Sequence, residues 1–388
     1  MYEVLTLNKI AKCGLDRLDK DLFTVTDEVS NPDAVILRSF KMHDMELPDS
    51  LKCIARAGAG TNNIPIDKCS EKGIVVFNTP GANANAVAEL TIAGLLLASR
   101  KITAGIEWAK TLKGEGDSIG SLVEKGKSAY AGPEIRGKKL GVVGLGAIGA
   151  KVANIALALG MDVVGYDPFI SVDAAWGLSQ NIKKCSDLKV LASNCDYISM
   201  HLPLNDNTRG MVNDELFECM EPGTRLLNFS RGELVDTNAL KKAIDSGIIA
   251  SYVVDFPSEE TLGMDNVINI PHLGASTPES EDNCAVMAAN ELLKYMKYGT
   301  IKNSVNYPNI ELEMESKYRV TIAHKNIPNM LNNFSKIFAD DNINIINMLN
   351  KSKKDNAYTI IDVDNVPDSL STELESIDGV CKVRIITK

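Results

Sequence analysis

A chain of 388 residues exceeds the roughly 250 to 300 at which a single hydrophobic core stops growing, so two or three domains are expected. Its 51 acidic residues outnumber 41 basic ones for a net charge of −10, with no long basic block, which argues against a nucleic-acid partner. The eight cysteines form no Cys-x-x-Cys pair and no histidine stands at metal-ligand spacing, so no metal is expected and the thiols point to a reducing, cytoplasmic location. The most apolar run, residues 90–99, is too short to span a bilayer, and no membrane partner is expected.

In chain order, short apolar runs at 33–38, 51–56 and 74–77 alternate with amphipathic stretches, the rhythm of βαβ units. Residues 83–100 carry no proline and are rich in Ala and Leu, so they predict a buried helix between two domains. From 101 to 139 the pattern loosens into Gly, Lys and Ser. A second series of strands is then predicted at 140–143, 162–166, 196–200, 225–229, 249–254 and 267–270, with helices at 147–160 and 236–246 between them. That alternation implies a doubly wound parallel sheet covered on both faces. A helix is predicted at 283–298 and a polar linker after it. The tail then spells βαββαβ: strands at 318–323, 343–349, 357–363 and 381–386, helices at 328–341 and 367–377.

Gly144, Gly146 and Gly149 are spaced Gly-x-Gly-x-x-Gly directly after an apolar strand and at the opening of a helix. The first permits a tight turn, the second a close approach of backbone to a pyrophosphate, and the third close packing of helix on strand. Ala147 and Ile148 fill the loop's open positions. The alternative is a tight turn with no ligand. Asp167 follows the next strand, 18 residues after Gly149, where a carboxylate accepts ribose hydroxyls and repels a 2′-phosphate, favouring NAD over NADP.

Arg231 stands just past one predicted strand and His272 just past another, at the edge of an open parallel sheet where ligands bind. A guanidinium there pairs with a substrate carboxylate, and an imidazole takes the proton that a hydride transfer leaves behind. Each also has a structural alternative, the arginine bonding helix ends and the histidine capping a strand.

These stretches resemble the signatures of the NAD-dependent D-2-hydroxyacid dehydrogenases: "GLGAIG", "HLPL" at 201–204, "NFSRGELVD" at 228–236 and "IPHLGAST" at 270–277. "RAGAGTNNIP" at 56–65 and "FNTPGANANAVAE" at 77–89 resemble the family's substrate loops, so the likeness runs over residues 1–305. It implies two doubly wound, Rossmann-like α/β domains, with 1–100 and 275–305 forming the substrate-binding domain and 101–274 the NAD-binding domain. It implies that Arg231 binds substrate and that His272 shuttles the proton. Asp255, His201, Pro203, Ser230 and Gly274 are expected beside the cofactor, and Arg56, Ala57, Gly58 and Asn83 beside the substrate. The family places a glutamate behind the histidine. Here "VVDFPSEETLG" is one residue short and lacks the final proline, so that spacing from Arg231 selects Glu260, alignment on Phe256–Pro257 selects Glu259, and the third alternative is that neither backs His272.

The tail, 306–388 with its linker, is similar to ACT domains in which His324, Asn326 and Asn344 match positions that bind L-serine. That combination implies 3-phosphoglycerate as the small-molecule substrate and L-serine as an effector. Arg56 resembles a substrate-contacting residue, and Lys138 and Lys139 are candidates for reaching a substrate phosphate from a neighbouring subunit, their alternative being a solvated place before a strand. Residues 101–139 resemble a dimerisation arm, so a homodimer or homotetramer is implied. The rivals are a hydroxypyruvate or glyoxylate reductase, and a non-catalytic NAD-sensing corepressor on the same scaffold.

Overall fold

The computed structural model describes residues 1–388, apart from the side chain of Asp173. The chain forms two compact units, residues 1–82 with 278–388, and residues 83–277.

In the first unit, β1 (Tyr2–Leu7), β2 (Phe23–Thr26), β3 (Ala34–Leu37), β4 (Cys53–Arg56) and β5 (Val75–Phe77) form a parallel sheet in the order β2-β1-β3-β4-β5. β3 and β5 are buried at every position, as strands covered on both faces must be. The helix Pro278–Tyr298 covers one face with Ala285, Ala288, Ala289 and Leu292. It begins at Pro278 rather than at residue 283, because a proline with its fixed φ suits the first helical position and Glu279 and Glu281 favour the positive end.

The second unit carries a seven-stranded parallel sheet, β12-β11-β10-β9-β6-β7-β8. Its strands are β6 (Lys139–Val143), β7 (Asp162–Tyr166), β8 (Lys183–Lys184), β9 (Tyr197–Met200), β10 (Thr224–Asn228), β11 (Ile249–Val254) and β12 (Val267–Asn269). The order reverses between β6 and β9, the switch point at which a crevice opens beyond the carboxyl ends of the strands. The expected boundary after residue 100 differs from that of the structure. Helix Ala84–Ser99 lies in this second unit, on helix Ala147–Ala158 and on β10 and β11. Gly94 makes that approach possible, since a Cβ there would stand 2.6 Å from Phe229 Cζ. Residues 101–139 hold the helices Ile102–Thr111 and Ile119–Gly126, neither with a buried residue.

The tail has the expected βαββαβ order: β13 (Tyr318–Lys325), helix Met330–Asp340, β14 (Ile345–Lys353), β15 (Asn356–Val363), helix Leu370–Glu375 and β16 (Val380–Thr387). Its antiparallel sheet runs β14-β15-β13-β16 over a core of its own. The expectation of a separate tail domain is modified, because the tail is fastened within the first unit by two buried arginines and the half-buried Lys382. Arg319 pairs with Asp362 at 2.6 Å, both fully buried, and donates to the carbonyls of Tyr298, Leu312 and Glu313. Arg384 donates to the carbonyls of Tyr295 and Met296, and Lys382 to those of Asp49 and Leu51.

Candidate active site

The carboxyl ends of five neighbouring strands carry the candidate residues of the second unit: Gly144 after β6, His201 after β9, Ser230 and Arg231 after β10, Asp255 after β11 and His272 after β12. The glycine loop has the sterics its spacing predicts. Gly144 has φ of 90°, and a Cβ there would stand 2.5 Å from the carbonyl oxygen of His201. A Cβ on Gly149 would collide with the Gly144 carbonyl at 1.9 Å. Gly146, by contrast, would meet no heavy atom within 4 Å, so the loop leaves open space there beside the start of helix Ala147–Ala158. No side chain caps that helix, and its first-turn amides at Ala147, Ile148 and Gly149 form a ready anion site. Asp167 accepts from the Leu145 amide and from the Phe169 amide, each at 2.9 Å, which holds its carboxylate against the loop.

His201 turns its Nε2 to the Ser199 hydroxyl at 2.8 Å, while its Nδ1 is buried with no protein partner. Burial pushes its pKa down to about 4, so the ring is neutral at physiological pH. Pro203 is exposed nearby in the chain, and the Ser230 hydroxyl donates to the Met200 carbonyl at 2.9 Å. Asp255 is only 1% exposed, with Oδ1 unpartnered. These orphaned buried atoms and the space at Gly146 fit a polar ligand, and a dinucleotide would take its pyrophosphate on the helix start and its ribose on Asp167.

Arg231 and His272 are both exposed, and both lie against one aromatic ring. The Arg231 guanidinium carbon is 5.4 Å from the centroid of Phe256, and the His272 ring centroid is 4.5 Å from it. Asn228, fully buried, pins the turn before them by donating to the Arg231 carbonyl at 2.8 Å. His272 has φ of 42°, in the left-handed region where histidine is tolerated, and its backbone amide donates to Asp255 O and Ile270 O. Burial raises the pKa of Asp255, and the charges of His272 and Arg231 pull it back down. Gly274 is buried against Asp255 Oδ2.

Neither glutamate joins His272. Glu259 and Glu260 are exposed in the first turn of the helix Glu259–Leu262, and no hydrogen bond reaches the ring of His272 among the described residues. The shortened loop explains this. Ser258 becomes the cap of that short helix through a capping box with Thr261, and the amide of Glu260 and the Ser258 hydroxyl hold the Glu260 carboxyl below the usual range. Sequence reasoning missed Phe256 and Asn228. Their signal was position alone, one residue past Val254–Asp255 and three before Arg231.

In the first unit Arg56 closes β4, and its guanidinium covers Gly58, where a Cβ would stand 2.4 Å from Nη1. The Ala57 amide donates to the Leu37 carbonyl, and the Gly58 carbonyl accepts from the Thr79 amide at 3.1 Å. Asn83 is the first residue of the second unit, at the uncapped start of helix Ala84–Ser99. Lys138 is paired with Asp196 at the amino edge of the second sheet, as is the backbone of Lys139, away from the carboxyl ends. In the tail, both ring nitrogens of His324 are spent, on the Lys325 carbonyl and the Thr359 hydroxyl. Asn326 donates to the Lys354 carbonyl. His324 pairs with Ala357 while Asn344 bonds to Asp364, so the two lie at opposite ends of β15 and one chain does not bring them together.

A parallel sheet with a glycine loop at its switch point and charged groups beyond its carboxyl ends defines a dinucleotide-binding fold with a candidate active site at its edge. Residues 92–274 match the family described as D-isomer specific 2-hydroxyacid dehydrogenase, NAD binding domain. The chain is 34% identical to D-3-phosphoglycerate dehydrogenase of Haemophilus influenzae, over 84% of this chain and 79% of that one. It is 33% identical to the Escherichia coli protein of the same name, with the same coverage. Among solved structures, it is similar to the NAD+-bound 3-phosphoglycerate dehydrogenase of Entamoeba histolytica, with a TM-score of 0.62 and 28% identity over 79% of this chain and 98% of that one. The chain belongs to the D-isomer-specific 2-hydroxyacid dehydrogenases, and is an NAD-dependent oxidoreductase acting on a CH–OH group. Among the described residues no helix is long and apolar enough to cross a membrane.

Proposed function

We propose that the chain oxidises the C2 hydroxyl of 3-phosphoglycerate to 3-phosphohydroxypyruvate, in the service of L-serine synthesis. The observation that carries the reading is the pair Arg231 and His272 on the Phe256 ring, in a chain whose relatives of known name act on that substrate. NAD, when bound, supplies the acceptor for the hydride leaving C2. Arg231 pairs with the substrate carboxylate through its fork of donors and stabilises the negative charge developing on the C2 oxygen. His272, its ring nitrogens unbonded within the described protein, takes the hydroxyl proton as the bond to hydrogen breaks. Asp255 serves as the acid behind it in place of Glu259 or Glu260: a proton gained on His272 favours the ionised form of the buried Asp255. Neutral His201 lines the cofactor side and takes no part in the proton transfer.

We further infer a homo-oligomeric, cytoplasmic protein. Ile102, Ile106 and Ile119 stand exposed on the two helices of 101–139, a face for a second copy, and all eight cysteines are free thiols. A serine site needs His324 and Asn344 together, which within this reading takes two tails. The test is NADH oxidation by the purified chain with 3-phosphohydroxypyruvate, hydroxypyruvate or glyoxylate, each with and without L-serine. A strong preference for the phosphorylated ketoacid is expected; a preference for either unphosphorylated one overturns the substrate, and serine-insensitive turnover overturns the effector.

A further inference from the structure

Helix Pro278–Tyr298 buries one carboxyl that the proposed chemistry does not use. Glu291 is 6% exposed, its Oε1 accepts from Asn303 Nδ2 at 2.7 Å, and its Oε2 is buried without a protein partner. It borders a cavity whose only charged neighbours are Lys294 and Lys302; the other lining residues, Asn283 and Asn290 among them, are uncharged. Burial pushes its pKa from an ordinary 4.5 up to about 8, against the pull of Asn303 and Lys302.

Asn303 is more than a cap for this carboxyl. It holds φ of 59°, a conformation that asparagine tolerates, and its carbonyl accepts from the Asn78 amide at 3.3 Å. Its own amide donates to Asn309 Oδ1. Asn78 in turn donates from Nδ2 to the Ala59 carbonyl at 2.5 Å, and Thr79 next to it donates to Gly58. A continuous series of hydrogen bonds therefore runs from Glu291 through Asn303 and Asn78 to the loop that follows Arg56.

We propose that Glu291 is a positioning residue for the 56–59 loop, acting through Asn303 and Asn78. The inference rests on the reading of Arg56, Ala57 and Gly58 as substrate contacts. The neutral carboxyl holds Asn303 without placing a bare charge in the protein. When the proton leaves, the bond from Asn303 strengthens, but the buried carboxylate must also draw in water or Lys302, and that movement carries the side chain of Asn303 out of line. The effect falls on substrate affinity, because the hydride and proton steps belong to the other unit.

The test measures kcat and KM for 3-phosphoglycerate from pH about 6.5 to about 9.5, the span that brackets the group. In the native chain, KM is expected to rise above pH about 8 while kcat does not follow it. Glu291→Gln, which mimics the neutral carboxyl, keeps the native KM at neutral pH and loses the alkaline rise. Glu291→Ala and Asn303→Ala each raise KM about fivefold at neutral pH, the scale of one lost hydrogen bond, with kcat little changed. Thermal stability alone does not decide the matter, since a purely structural carboxyl would move it too. A Glu291→Gln profile that superimposes on the native one overturns the proposal. Arg56→Lys separates the two readings: unchanged KM there removes the substrate loop and this proposal with it, whereas a raised KM beside a superimposed Glu291→Gln profile removes the proposal alone.

Discussion

His272 and His324 occupy comparable places, each at or just beyond the carboxyl end of a strand, yet the protein treats them in opposite ways. His324 is 2% exposed, packs edge-on to Phe334 with 5.2 Å between centroids, and spends both ring nitrogens on neighbours. Burial also lowers its pKa, so it is held neutral. His272 is exposed, held by its backbone in a left-handed turn and by ring contact with Phe256, with its nitrogens left for something else. A histidine that is to move a proton must keep a nitrogen unspent, and the environment rather than the residue type decides this. The sharpest way to break the comparison is to remove each ring. His272→Ala should lower kcat by roughly two to four decades with NADH affinity nearly unchanged, the span of general acid–base contributions. His324→Ala should leave kcat within a few-fold and lower the denaturation midpoint instead. Equal kinetic effects from the two would show that neither is the proton carrier.

The arginines repeat the contrast. Arg231 is exposed at the sheet edge with one bond to the Ser230 carbonyl, while Arg319 is fully buried, paired with Asp362 and bonded to three carbonyls. Arg319→Ala leaves the Asp362 carboxylate buried and uncompensated, a situation that costs about 3–5 kcal/mol. Denaturant unfolding should show that loss, while NADH binding by the other unit persists. Replacing both partners together, Arg319→Met with Asp362→Leu, should recover much of the stability, because the cost lies in the stranded charge. Little recovery would mean that the bonds to Tyr298, Leu312 and Glu313 carry the tail's attachment instead.

The glycine loop was legible in the sequence because its constraints are steric and local: Gly144 and Gly149 have no room for a Cβ, and the strand and helix around them are strongly patterned. Most strands of the second sheet were legible as continuous apolar runs. The helices of 101–139 were not, because no residue in them is buried in this chain and Gly, Lys and Ser loosen the pattern. The allegiance of helix Ala84–Ser99 was hidden for the opposite reason. Apolar on most sides, it could cover either sheet, and the packing of Val87, Ala88, Leu95 and Ala98 in the second core, with Gly94 against Phe229, selects one. Counting left the acid behind His272 open between Glu259, Glu260 and neither, because which side chains a short helix presents depends on the Ser258 cap. His324 and Asn344 are close in sequence but reach opposite ends of β15, a separation set by topology.

The smallest effect concerns His201, the neutral neighbour in the candidate cofactor site. Its folded pKa, about 4, lies below the ordinary 6.5, so the unfolded chain binds a proton there before the folded one does. Stability from this group is therefore full above pH about 6.5 and is lost as pH falls toward about 4, with buried His324 pulling in the same direction. His201→Gln cannot take up that proton and should flatten the slope of Tm against pH in this window, by about 2 °C at its acid end. A slope that survives in His201→Gln but disappears in His324→Gln would assign the acid sensitivity to the tail. A slope that disappears in His201→Gln would place the cost of keeping a histidine neutral in the same unit as His272, whose ring stays exposed.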